Sequence, residues 1–220
     1  VPVQTYNGSI TSDSQRYIYI LPGGNGTNSR KMVRYDTWTK TFSPSTLGID
    51  SLDRVPYDSQ VNAYQWIAGN ATTATYDGSK YLYALMASEG TNSTSRFVKY
   101  DYKTGETLYL TSPPTTGIGG SLGYVSGRLF YLPAKSTSVL YEYNFSNSSW
   151  VMMNNVPGNA YRPGPSSLVT VDSNIYAFAG NSRVLYRYTP NTTGGTWTTL
   201  ANAPGTIQNG SMYFNSSERN

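Results

Sequence analysis

The chain of 220 residues contains no cysteine and no histidine. Without cysteine there is no disulfide frame, no thiolate nucleophile and no thiolate metal ligand, so the fold must stand on packing alone. Without histidine, a Ser-His-Asp triad and a His-based zinc site are closed as well. Charge is scarce too, at 13% Asp, Glu, Lys and Arg, with a net +4. The basic residues are scattered, and no basic run exceeds the pair Arg30-Lys31. A nucleic-acid partner would require a basic stripe, and none is visible. No apolar run approaches the length of a membrane-spanning helix, and no run of acids has the spacing of a calcium loop. The expectation is therefore a chain without cofactor or metal and without a membrane span.

What the chain does have is tyrosine and glycine, 21 of each, with abundant Ser and Thr and 12 prolines. Tyr, Thr and Val fit pleated, half-buried surfaces, while Gly, Asn and Pro supply the turns between them. No long apolar stripe of period 3.6 occurs. An aromatic content of 14% argues against disorder. The class expected is all-β, as a single domain over 1–220 or a piece of one. The chain opens at Val1 without an initiator Met or a signal-type segment, which points to processing or trimming.

The opening "VPVQTYNGSI" is echoed near the end by "APGTIQNGSM". Between the two, prolines recur at Pro2, Pro56, Pro114, Pro157 and Pro204. Each interval runs through the same events. A strand of small residues ("NGSIT", "NATTATY", "GGSLGYV", "PSSLVTV") leads through a tight turn at Asp77-Gly78, Ser126-Gly127 or Asp172-Ser173-Asn174. An aromatic strand follows ("RYIYIL", "KYLYAL", "RLFYL", "NIYAFAG"), then a third ("MVRYD", "FVKYD", "LYEYN", "LYRYT"). A fourth is centred on Phe42, Leu108, Trp150 and Trp197. Four short strands repeated four times are the signature of β-propeller blades. The repeats fall at about 2–56, 57–114, 115–157 and 158–204, with 205–220 opening a further blade. Both ends supply the same strand, so the ring is expected to be incomplete or completed from elsewhere.

The repeat resembles kelch-type propellers. The likeness rests on Pro22-Gly23-Gly24 and Ala179-Gly180 after the aromatic strand, the Tyr-Asp of the third strand and the Trp before the closing Pro. "VLYRYTPNTTGGTWTTLANAP" at 184–204 is the nearest match, whereas 30–44 keeps Tyr-Asp but has Phe42 in place of Trp. Oxidases built on this propeller type need His ligands and a modified Cys, so the resemblance does not extend to that activity. "TTGGTW" at 192–197 lacks the Ser and Asp of a sialidase Asp-box and reads as an ordinary blade turn.

Nine Asn-X-Ser/Thr sequons occur, at Asn7, Asn25, Asn70, Asn92, Asn144, Asn147, Asn191, Asn209 and Asn215. Composition alone would place about four or five. Asn25 and Asn92 fall in matching loops, and Asn144, Asn147 and Asn191 between third and fourth strands, where a transferase can reach. Glycosylation of several implies an exported chain.

The most distinctive surface is the long connection 43–70. It holds Asp50, Asp53, Arg54, Tyr57, Asp58, Tyr64 and Trp66. Aromatic faces there can stack on sugars while Asp and Arg fix hydroxyls; Tyr161 and Arg162 belong to the corresponding connection two repeats on. The competing expectation is that Tyr64, Trp66 and Tyr161 simply pack on the blade beneath. Tyr35, Tyr100, Tyr143 and Tyr188 recur once per repeat at one strand position and are expected in the core. Arg34, Lys99, Glu142 and Arg187 precede them, face the other way and are expected to form ion pairs between blades.

Three functions are compatible with these residues. The first is a non-enzymatic, exported, N-glycosylated propeller that engages other proteins, or further blades, at a cell envelope, filament or virion surface. The second is a lectin-like propeller using the 57–66 ridge, and the third a glycosidase using the carboxylates of 50–58.

Overall fold

In the computed structural model the described residues are 9–13, 15–21, 33–43, 57–58, 63–64, 71–87, 96–101, 103–104, 106–115, 120–133, 139–157, 168–178 and 182–206. Among them there are strands and turns and no helix. The chain divides into two compact units, Val1–Ile118 and Gly119–Asn220.

The first unit opens with β1 (Ser9–Ser12), β2 (Tyr17–Leu21), β3 (Val33–Asp36) and β4 (Thr41–Ser43), an antiparallel meander in that order. A two-stranded hairpin follows, β5 (Tyr57–Asp58) and β6 (Ala63–Tyr64). The second meander comprises β7 (Ala71–Tyr76), β8 (Tyr81–Ala87), β9 (Arg96–Asp101) and β10 (Thr107–Leu110). In the second unit, β11 (Ser121–Val125), β12 (Arg128–Leu132), β13 (Tyr141–Asn144) and β14 (Ser149–Met152) form the third meander. The fourth consists of β15 (Leu168–Val171), β16 (Asn174–Phe178), β17 (Leu185–Asn191) and β18 (Gly194–Thr199). The expected four-by-four strand pattern is thus present, consistent with propeller-like blades.

Alternation of burial explains the strands. Along β13, Tyr141 and Tyr143 are buried while Glu142 is not, and along β17 Tyr186 and Tyr188 are buried around Arg187. The two sheets of a unit share these inward residues. In the first unit Tyr19 packs with Leu82, Ala84, Val98 and Tyr100. In the second, Phe130, Leu132 and Leu140 pack with Leu168, Ile175, Ala177 and Tyr188, and the Phe130 and Tyr188 rings meet edge-on at 6.0 Å. Each of the large side chains among them contributes roughly 1.5–3 kcal/mol of transfer free energy. Of the once-per-repeat tyrosines, Tyr100, Tyr143 and Tyr188 are buried, and Tyr35 is half-buried against Phe42.

The first strands of paired sheets lie close together. The Ser9 hydroxyl accepts the Ala74 N–H at 3.1 Å, and Gly123 on β11 leaves no room for a side chain beside Leu168 and Thr170. The two units solve the first hairpin differently. In the second unit the turns are two-residue, with Ser126, Gly127 and Asp172 at φ of 51°, 79° and 52°. In the first unit an aspartate ties the turn from within. Asp13 Oδ1 accepts the N–H groups of Gln15, Arg16 and Tyr17, and Asp77 Oδ1 those of Ser79, Lys80 and Tyr81.

Candidate recognition surface

Those aspartate-tied turns fix the side chain that opens each second strand. In the first sheet Arg16 donates through Nε and Nη2 to the Asp36 carboxylate, at 2.5–3.0 Å. In the second, Lys80 Nζ lies 2.6 Å from Asp101. Both aspartates end a third strand and hold the turn beyond it. Asp36 Oδ1 accepts the N–H of Trp38 (2.9 Å) and Thr39 (3.3 Å), and Asp101 Oδ1 those of Lys103 (2.9 Å) and Thr104 (3.3 Å). The Arg16 guanidinium and these backbone donors hold Asp36 well below the usual carboxylate range, against the cost of burial. Burial pushes Asp101 up, but Lys80 and the Lys103 and Thr104 N–H groups outweigh it, leaving a pKa of about 2.

Three of the charged residues of the third strands, Arg34, Lys99 and Glu142, correct one expectation. Rather than bridging blades, they act within their own sheet, each towards the residue diagonal to it on the second strand. Arg34 is paired with Tyr19 and its guanidinium lies over Tyr17, 4.5 Å from the ring centroid. Lys99 is paired with Tyr83 and its ammonium lies over Tyr81 at 3.7 Å. Glu142 is paired with Phe130 and takes Arg128 in two 2.6 Å hydrogen bonds. Residues two apart share a face, and long side chains reach the diagonal neighbour. Of these groups it is Arg128 that reaches a neighbouring sheet, its Nη1 donating to the Asn191 carbonyl at 2.9 Å.

In the first sheet the stack continues outward. The Arg16 guanidinium lies 5.0 Å from the Tyr17 ring and 4.7 Å from that of Trp38. Arg34, Tyr17, Arg16 and Trp38 therefore alternate cation and ring, and Trp38 ends the series 72% exposed. Leaving an indole in water forgoes roughly 2–3 kcal/mol of burial. In the second sheet Lys99 and Tyr81 line a shallow cavity of about 140 Å³ with Asp101, Glu106 and Leu108.

Sequence reading passed over Trp38. Its signal was position: in "YDTWTKT" the Trp stands three residues past the repeated Tyr, in a turn, where the other repeats carry Lys103, Ser146 and Asn191.

The other candidates are placed as follows. Tyr57, Asp58 and Tyr64 belong to the β5–β6 hairpin, whose register pairs Tyr57 with Tyr64 and Asp58 with Ala63. Asp53, Arg54, Trp66, Tyr161 and Arg162 lie outside the described residues, as do Asn7, Asn25, Asn70, Asn92, Asn209 and Asn215. Asn144, Asn147 and Asn191 sit at the β13–β14 and β17–β18 turns, with Asn147 and Asn191 exposed. Asn144 Oδ1 accepts the Ser146 N–H (2.9 Å), Asn147 Oδ1 the Ser149 hydroxyl (2.7 Å), and Asn191 Oδ1 both the N–H and hydroxyl of Thr193 (3.0 and 3.2 Å). Among the described residues no group of three acids is placed to hold a metal ion.

No protein-family model matches the chain, and no curated protein matches it in sequence. Among solved structures the chain is similar to that of YjhT, with a TM-score of 0.59 and 14% identity over 93% of this chain and 67% of that one. The likeness is one of fold. It carries the propeller-like blade arrangement and leaves the chemistry to the residues described above.

Proposed function

We propose that the chain is a kelch-type propeller, exported, N-glycosylated and non-enzymatic, that serves as an interaction or structural component of a cell envelope, filament or virion surface. The observation that carries this reading is the geometry of the three described sequons. In each, the Asn carboxamide oxygen is engaged by the residue two positions on, at a turn. Each acceptor side chain is thus held locally at a turn, and Asn147 and Asn191 are exposed there, the surface setting that glycan acceptors occupy. The kelch assignment draws on the Tyr-Asp strand ends, whose aspartates tie the following turns, and on Trp197 packed 4.9 Å from the Tyr188 ring. Glycopeptide mapping of protein from its natural source tests the reading, with glycan expected on Asn147 and Asn191. Unmodified peptides across all nine sequons would refute export through a glycosylating pathway.

A second reading, a lectin-like propeller, is favoured by the β5–β6 hairpin, which sets Tyr57 opposite Tyr64. Its test is sugar binding by a Tyr64→Ala, Trp66→Ala variant. Unchanged binding would dismiss this ridge.

A further inference from the structure

We infer that the exposed face of Trp38 is a carbohydrate-binding platform for a neutral pyranose ring, separate from the 57–66 ridge and independent of whether the chain is glycosylated. The indole is presented in a fixed orientation. Its turn is tied by Asp36 through the Trp38 and Thr39 N–H groups, and at its base the Thr37 N–H and hydroxyl both donate to the Arg16 carbonyl, at 3.0 and 2.7 Å. The inner face rests on the Arg16 guanidinium, which is itself locked to Asp36. A ligand stacking there meets a ring that has already lost its freedom, so little ordering cost opposes binding.

The surroundings decide the class of ligand. Residues 37–41 read Thr-Trp-Thr-Lys-Thr, all exposed, with the Thr39 and Thr41 hydroxyls 2.7 Å apart. One flat apolar surface on a turn that also carries exposed threonine hydroxyls matches a sugar, whose C–H face is apolar and whose edge is hydroxylated. A stable protein partner would need roughly 1,200–2,000 Å² of interface with an apolar centre, and a single indole among threonines does not provide that centre. A cationic ligand is disfavoured, because Arg16 already occupies the opposite face and draws on the same ring electrons.

The test uses the full chain and a panel of neutral hexasaccharides built from glucose, mannose, galactose or N-acetylglucosamine, with tetramethylammonium as the cationic control. Binding is followed by tryptophan fluorescence and by calorimetry. At least one hexasaccharide should bind and tetramethylammonium should not. Trp38→Ala should weaken that binding roughly tenfold or more, the loss of one stacked ring, while Trp38→Tyr keeps most of it and Met152→Ala, at an exposed apolar residue of the second unit, leaves it unchanged. Circular dichroism and the unfolding midpoint check that Trp38→Ala remains folded, as expected of an exposed side chain. Three results would each overturn the inference: no hexasaccharide binding at millimolar concentration, equal binding by parent and Trp38→Ala, or tetramethylammonium binding in place of sugar. Glycopeptide mapping of the same protein reads the export proposal separately, so neither failure can be mistaken for the other.

Discussion

Replacing Gly195 by alanine should destabilise the second unit by about 2–3 kcal/mol. Gly195 pairs with Pro190 in the β17–β18 hairpin, and a methyl group there would run into the Tyr188 ring and to 2.8 Å from the Thr189 carbonyl oxygen. Tyr188 cannot swing aside. It is fully buried, edge-on to Phe130 at 6.0 Å and 4.9 Å from Trp197. The Gly195 carbonyl also accepts the Asn154 carboxamide (2.6 Å), while the Asn154 carbonyl accepts the Trp197 indole N–H (3.0 Å). A backbone shift to relieve the methyl would thus pull on the link between β14 and β18. Overpacking of this kind costs about 1–3 kcal/mol, and a clash that includes immovable backbone belongs at the upper end. Urea unfolding of a Trp38→Phe, Trp66→Phe background, in which Trp150 and Trp197 report the second unit, should show the midpoint falling by about 1–2 M. Gly205→Ala, where a methyl meets nothing within 4 Å, is the control and should leave the midpoint in place. A Gly195→Ala midpoint equal to the control's would show that Tyr188 does not occupy the space against β18, and the packing account of this sheet would fail.

Acid should loosen the first unit: Asp36 and Asp101 both titrate below their unfolded values, so their stabilisation is complete above about pH 5 and is lost progressively as the pH falls to about 2 and below. Asp101→Asn should flatten the decline in urea midpoint over that window, and an unchanged slope would refute the assignment. Arg128→Met should cost about 1–3 kcal/mol, because it strands a half-buried Glu142 and releases the Asn191 carbonyl; adding Glu142→Leu should recover part of the loss, and a double variant no better than the single would contradict the pairing. Tyr188→Phe removes a buried hydroxyl that has no hydrogen-bond partner among the described residues, so stability should hold or rise by up to about 1 kcal/mol, and a clear loss in thermal unfolding would reveal a partner.

The blades were legible because their signals are periodic. Four copies of an aromatic strand, a Tyr-Asp strand and a turn over-determine the strand order, and alternation within "LYEYN" and "LYRYT" already placed Tyr143 and Tyr188 inward. The site residues were legible only as types. Tyr57 and Tyr64 were chosen for their aromatic faces, and only the hairpin register shows that they stand opposite one another. Trp38 was lost because a kelch-like reading looks for Trp on the fourth strand, where this repeat carries Phe42.

The misread ion pairs locate the limit more sharply. Arg34, Lys99 and Glu142 were correctly placed on the face opposite the tyrosines, but their partners depend on how far the third strand slides along the second. That register depends on the connections at 22–32, 88–95 and 133–140, of eleven, eight and eight residues, none of which carries a hydrophobic alternation that would fix it. Period-2 alternation is blind to a slide of two residues, since every side chain keeps its face. Yet a slide of two would pair Arg34 with Tyr17 instead of Tyr19 and change which ring lies diagonal to its guanidinium. The face a residue occupies follows from its own strand, whereas its partner follows from a loop. The cation–ring series ending at Trp38 is made of partners, each chosen by register, and so it comes into view only once the strands are paired.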